Sequence, residues 1–217
     1  MKKLHVRLAL FVLFAIASIA APLSIIWKYE NTLRHGTLYK FHTKPVDPYD
    51  AFRGRYVTLA FENDFIERIQ RGENGGELKQ EELIPYNDNG RLLYVQIAAD
   101  ADGFAKPVLA SLTPLTGDDV ITVDHWQKLY ARNSAGGWML SYPFNRYYLP
   151  EDMAPEAEKL YRKANRSAGG SAGDGQSARK ISSYVTVRVG GRVGVLEELY
   201  IDGKPVRQAL RAELEKK

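Results

Sequence analysis

The chain contains no cysteine, which excludes a disulfide scaffold, a thiolate-ligated zinc or iron–sulfur centre, and any thiol nucleophile. Its four histidines are scattered. His5 precedes an apolar run, His35 and His42 stand seven positions apart, and His125 is alone, whereas a zinc site needs three or four converging ligands. Neither a metal nor a cofactor is expected. The sequence has no G-x-x-x-x-G-K-[ST] loop, no G-x-G-x-x-G fingerprint and no G-x-S-x-G elbow, so the usual phosphate-binding and serine-hydrolase devices are missing. Asp100-Ala101-Asp102-Gly103 resembles the start of a calcium loop but lacks the later ligands, and a hairpin turn accounts for it.

The opposite charges nearly balance. The formal net charge is +4, from 30 Lys and Arg against 26 Asp and Glu. Lys2, Lys3 and Arg7 lie ahead of the apolar run, and without them 27 cationic side chains face 26 anionic ones. Such a balanced body carries no basic stripe for nucleic acid.

What the sequence does have is one long hydrophobic run. Leu8–Trp27 is twenty residues without a charge, enough for a helix of about 30 Å that crosses a bilayer's hydrocarbon core. Pro22 lies near its outer end, and Trp27 and Tyr29 suit the interfacial belt. A cleaved signal peptide competes with this reading, because Ser18-Ile19-Ala20 offers small residues behind a basic start. Leu23, Ile25, Ile26 and Trp27 extend the run beyond a plain signal core and favour an uncleaved anchor. The dense basic flank of Lys2, Lys3 and Arg7 favours a cytoplasmic start, although Lys28, Arg34, Lys40 and Lys44 follow the span. The expectation is a single-pass protein of the inner (cytoplasmic) membrane, anchored through residues 8–27, with its body in the periplasm.

Beyond residue 29 the dominant hydrophobic period is two, the mark of half-buried strands. Tyr39, Phe41 and Thr43 share one face, as do Val57, Leu59 and Phe61, then Leu93, Val95 and Ile97. Val185, Val187 and Val189 form another row, and Val193, Val195, Leu199 and Ile201 predict one more inward-facing row. Gly190-Gly191, Asp102-Gly103 and Asp202-Gly203 signal turns. Asp152, Pro155 and Glu156 open a helix that carries Met153, Ala157, Leu160, Tyr161 and Ala164 at helical spacing. A weaker helix follows Pro205, with Val206, Leu210 and Leu214 on one stripe, and a short turn is predicted over Asp64–Gln70. Residues 167–178 have flexible-linker composition. The predicted fold is mainly β (α+β): a transmembrane helix within residues 1–29, then one sandwich- or barrel-like β domain over 30–217 with one or two short helices and a flexible loop at 167–178.

The most distinctive segment is Lys44–Glu62, KPVDPYDAFRGRYVTLAFE. Pro45 and Pro48 keep their predecessors extended, and Asp47 and Asp50 have the chemistry to bond nearby backbone amides in turns. Gly54 permits a sharp entry into the strand that follows. Gly54, Tyr56 and Leu59 resemble the motif of a family of membrane-anchored proteins named for G-D-Y-x-x-L-x-Y, with Arg55 where that family has Asp and Phe61 where it has Tyr. Pro45-Val46-Asp47-Pro48, with Asp50, Phe52 and Arg53, is similar to the family's lead-in. Tyr147-Tyr148-Leu149-Pro150-Glu151 and Leu199–Pro205, which includes Tyr200, Asp202 and Gly203, resemble its two later signatures. The resemblance implies a single-span exported protein of a family whose members are often encoded beside polytopic membrane proteins, and it implies no reaction. The charge reversal at Arg55 prevents transfer of any role of the family carboxylate.

Asp47, Asp50 and Glu151 are the carboxylates a hydrolase would use as acid and base; turn capping and a helix start explain the same three residues. Thirteen tyrosines, several near Trp138 and Phe144, suit either a β-domain core or a partner-facing patch. The leading expectation is a non-enzymatic accessory subunit of an envelope membrane complex. Its contact surface would draw on Asp47, Asp50, Arg53, Gly54, Tyr56, Tyr147 and Glu151, with Pro45, Pro48, Leu59, Tyr200, Asp202 and Gly203 in structural roles. A periplasmic hydrolase and an envelope glycan or small-ligand binding module are the alternatives.

Overall fold

The computed structural model describes residues 2–44, 56–67, 69–70, 92–123, 125–129, 137–151, 153–169 and 183–214. It opens with helix α1, Lys2–His35, which at about 1.5 Å per residue is roughly 51 Å long. The helix runs past the apolar stretch by two further turns. Its large apolar side chains from Val6 to Leu33 are exposed, while the hydroxyls of Ser18 and Ser24 donate to the carbonyls of Phe14 and Ala21. Those bonds leave neither hydroxyl unpaired in an apolar environment.

Thirteen strands and two further helices follow among the described residues. The largest sheet has five strands: β13 (Lys204–Pro205), β12 (Val193–Ile201), β11 (Ser183–Gly190), β1 (Thr37–Lys44) and β3 (Ala60–Phe61), in that order. A second sheet places β5 (Leu93–Ala99) between β6 (Ala105–Ser111) and β7 (Val120–Val123). A third places β9 (Gly137–Ser141) between β4 (Phe65–Ile66) and β8 (His125–Leu129). A ribbon joins β2 (Tyr56–Thr58) to β10 (Arg146–Tyr148). Helices α2 (Ala154–Gly169) and α3 (Val206–Leu214) complete the body. The body is β-rich, and no sheet closes into a barrel among the described residues.

Four local differences separate the structure from the sequence expectation. A β-bulge pairs Thr186 with Glu198 but Val187 with Leu196, so Glu197 is the extra residue. Because a one-residue slip exchanges faces, Gly194, Leu199 and Ile201 are buried while Val193 and Val195 are only half-buried. The β11–β12 turn is Gly191-Arg192, at φ 56° and 66°, one position later than Gly190-Gly191. Within 64–70, Phe65 and Ile66 form a strand against Met139 and Trp138 instead of a turn. The linker-like segment also starts late: residues 167–169 finish α2, and 170–178 lie outside the described residues.

The core centres on four rings, Phe41, Phe61, Tyr142 and Phe144. All six pairs are in contact, with centroids 5.1–5.7 Å apart. Tyr142 donates its hydroxyl to the Asn63 carbonyl at 2.8 Å. Burial, reinforced by the Asp64 carboxylate, pushes its ionisation well above the ordinary value of 10.0. The unfolded chain therefore releases this proton first as pH rises, and stability is fully present below pH 10 and lost above it. Between pH 10 and 12 the loss is expected to be about 1.4 kcal/mol per pH unit from this residue. Thermal unfolding of Tyr142→Phe across that range should show a slope shallower by that amount, at a fixed cost of about 1 kcal/mol for the lost hydrogen bond.

The helix–body junction has almost no slack. Thr32 is buried and donates to the Gly190 carbonyl at 3.1 Å, the Gly36 amide donates to the Thr32 carbonyl at 2.8 Å, and Arg188 Nη1 donates to the Gly36 carbonyl at 3.2 Å. A Cβ on Gly36 would lie 2.5 Å from the Thr32 oxygen and 2.8 Å from that of Val189, so only glycine allows helix and sheet to approach this closely.

Candidate functional site

The motif strand divides its residues between two environments. Val57, Leu59 and Phe61 are buried, and the Leu59 amide donates to the Asn145 carbonyl at 2.9 Å. Tyr56 and Thr58 are half-buried on the alternate positions. In the ribbon register Arg146 pairs with Thr58, Tyr147 with Val57 and Tyr148 with Tyr56. Alternation then sorts the partner strand: Tyr147 is buried between exposed Arg146 and Tyr148.

Tyr56, Arg146 and Tyr148 form a compact outward group. The two tyrosine rings meet edge to face with centroids 5.6 Å apart, and the Arg146 guanidinium carbon lies 5.0 Å from the centre of the Tyr56 ring. Tyr148 is 64% exposed. Such a cation–aromatic set fixes a flat apolar surface beside a charge, a combination suited to binding another protein.

Tyr147 ties this ribbon to the C-terminal signature. Its hydroxyl donates to Glu198 Oε1 at 2.5 Å, and the same oxygen accepts the Leu199 amide at 3.0 Å. Burial foremost, then the Glu198 carboxylate, raises the ionisation of Tyr147 above the ordinary tyrosine range, with Arg207 opposing. Tyr200 stacks on Tyr184 with centroids 4.8 Å apart. Asp202 and Gly203, at φ 52° and 74°, form the two-residue turn between β12 and β13, where both central residues must be left-handed. The motif strand, the Tyr147 segment and the Leu199–Pro205 segment thus meet in space through the β2–β10 ladder and the Tyr147–Glu198 bond.

The remaining candidates are placed unevenly. Glu151 is exposed in the turn before α2, where the Met153 and Ala154 amides donate to the Pro150 carbonyl. Pro45, Pro48, Asp47, Asp50, Arg53 and Gly54 lie outside the described residues. The described ends of that segment are Lys44, whose Nζ reaches Asp64 Oδ2 at 2.6 Å and whose carbonyl accepts the Tyr161 hydroxyl at 3.2 Å, and Tyr56 in the outward group. Among the described residues no three His, Asp or Glu side chains come together as a metal site would require. His42 instead stacks on Phe104 at 3.6 Å. Arg146 and Glu198 are the contributors that sequence reasoning passed over. The Arg146-x-Tyr148 alternation was a signal for the first, whereas the bulge that positions Glu198 has no pattern in one sequence.

A family model described as GDYXXLXY protein matches residues 18–199. That span runs from the middle of α1 to the last residue but two of β12. Neither the curated proteins nor the solved structures contain a match.

Proposed function

The chain belongs to the GDYXXLXY protein family and has, among the described residues, one helix long and apolar enough to cross a membrane, and from these premises we propose a single-span protein of the cytoplasmic membrane whose body, outside the cytoplasm, is a non-enzymatic interaction subunit of a membrane complex. The observation that carries this reading is the outward Tyr56–Arg146–Tyr148 group at the end of the motif strand. Tyrosine and arginine are, with tryptophan, enriched among the residues that dominate protein interfaces, tyrosine because it buries a large rigid ring and keeps a polar end, arginine because its planar guanidinium stacks and donates several hydrogen bonds. A partly buried Tyr147–Glu198 bond behind the group stiffens the ribbon that presents it. The path from α1 into the body is Gly36 alone, which tethers the body directly beside the membrane. A polytopic membrane protein is therefore the partner class in reach.

The test places a photo-crosslinking benzoylphenylalanine at Tyr148 in the full-length, membrane-bound protein. Val108, 55% exposed on β6, serves as the control position. Tyr148 is expected to yield one discrete adduct with a polytopic protein, reduced roughly tenfold by Arg146→Ala, the scale of an interface arginine's loss. The same diffuse products from both positions would sink the proposal.

A further inference from the structure

A cleft of about 340 Å³ lies where α1 meets the body. Its walls are Lys28, Asn31 and His35 on the last turns of α1, the Gly190–Gly191 end of the β11–β12 hairpin, and Asp118 from the loop before β7. Its level along the helix follows from the residues around it. Trp27, the last residue of the uncharged run, also lines it. Gly191 stands opposite the very next residue, since a Cβ there would lie 3.9 Å from Lys28 Cε. With α1 across a bilayer, Trp27 and Tyr29 occupy the interfacial belt, and the cleft opens among the lipid headgroups.

Two opposite charges face this level without partners. Lys28 and Asp118 are exposed, and neither makes a hydrogen bond or ion pair with a described residue. A lysine ammonium is a compact donor suited to phosphate oxygens. A carboxylate accepts charge-assisted hydrogen bonds from a primary ammonium. We propose that this cleft holds the headgroup of a phospholipid that carries both a phosphate and a primary ammonium, with Lys28 on the phosphate and Asp118 on the ammonium. A quaternary ammonium offers Asp118 no N–H, and a glycerol headgroup puts no cation beside it. The inference rests on α1 spanning the membrane.

The full-length protein is reconstituted in nanodiscs of phosphatidylcholine alone, or with an equal mole fraction of phosphatidylethanolamine or phosphatidylglycerol. Thermal unfolding of the body is then followed. Phosphatidylethanolamine is expected to raise Tm by roughly 2–4 °C over phosphatidylcholine, as ligation of the native state does. Lys28→Gln and Asp118→Asn should each erase the rise while leaving Tm in pure phosphatidylcholine unchanged, since both side chains are exposed. No rise, an equal rise with phosphatidylglycerol, or a rise that survives both substitutions would overturn the proposal. An equal rise on adding inorganic phosphate to phosphatidylcholine discs would identify a free-anion site and overturn it as well. A chain that does not enter the discs at all refutes the membrane reading, and this proposal with it; entry without a lipid effect refutes only the headgroup site.

Discussion

Phe61→Ala is expected to destabilise the body by about 3–5 kcal/mol, the range for deleting a buried phenylalanine ring and leaving a cavity. For a chain of 217 residues this corresponds to a fall in Tm of roughly 6–20 °C, measured on the full-length protein in detergent. Phe61 touches three other buried rings at once, Phe41, Tyr142 and Phe144. Neighbours in contact with one another cannot collapse freely into the void, so the cost should sit above the lower bound. Tyr56→Ala supplies the contrast. Tyr56 is half-buried, and its removal forfeits one edge-to-face pair and one cation–π contact, together about 1–2 kcal/mol. If both variants lost equal stability, the division of the motif strand into a packing face and a presenting face would be wrong. Phe61→Tyr, which installs the residue usual in the family, adds a hydroxyl beside the stacked rings and should cost about 1–3 kcal/mol unless it finds an acceptor.

The inward face of the motif strand was readable because alternation is a local signal. Val57, Leu59 and Phe61 announce a buried row by themselves, as do Leu93, Val95 and Ile97. The bulge at Glu197 was not readable, since an extra residue in one strand is defined only by its partner. Its consequence is large: the bulge puts Val195 and Leu199 in different environments, although their spacing of four implies one face. The same logic separates Tyr147 from Tyr148. Both belong to one aromatic signature, but pairing with Val57 carries Tyr147 inward and pairing with Tyr56 leaves Tyr148 outside. Long-range geometry also decided the cleft at the α1 junction, where Lys28 and Asp118 are ninety positions apart. Sequence periodicity finds elements and faces; it does not find which faces meet.

Paired substitution of Ile16→Lys and Ile19→Lys in α1 is expected to abolish membrane retention. Each lysine near the centre of a spanning helix costs roughly 2.5–3.5 kcal/mol of insertion free energy, and the two fall three positions apart on one side of the helix. Carbonate extraction should leave the wild-type chain in the membrane pellet and move the variant to the supernatant or block its export. The competing reading, cleavage after Ala20, predicts something different: a wild-type chain shortened by about twenty residues, recovered in the supernatant, as judged by intact mass and the position of the small-residue site. The packing argues for the intact helix. Cleavage there would leave Leu23, Ile25, Ile26, Trp27 and Tyr29 exposed to water on a helix that the body grips only further along, at Thr32 and Gly36. Five large exposed apolar side chains on one short helix form a patch that soluble proteins avoid, whereas a bilayer covers them at no cost. Lys28→Gln sets the limit of the effect. It changes one charge at the end of the apolar run, should leave extraction behaviour as in the wild type, and separates the anchor's apolar length from any headgroup contact as the source of retention.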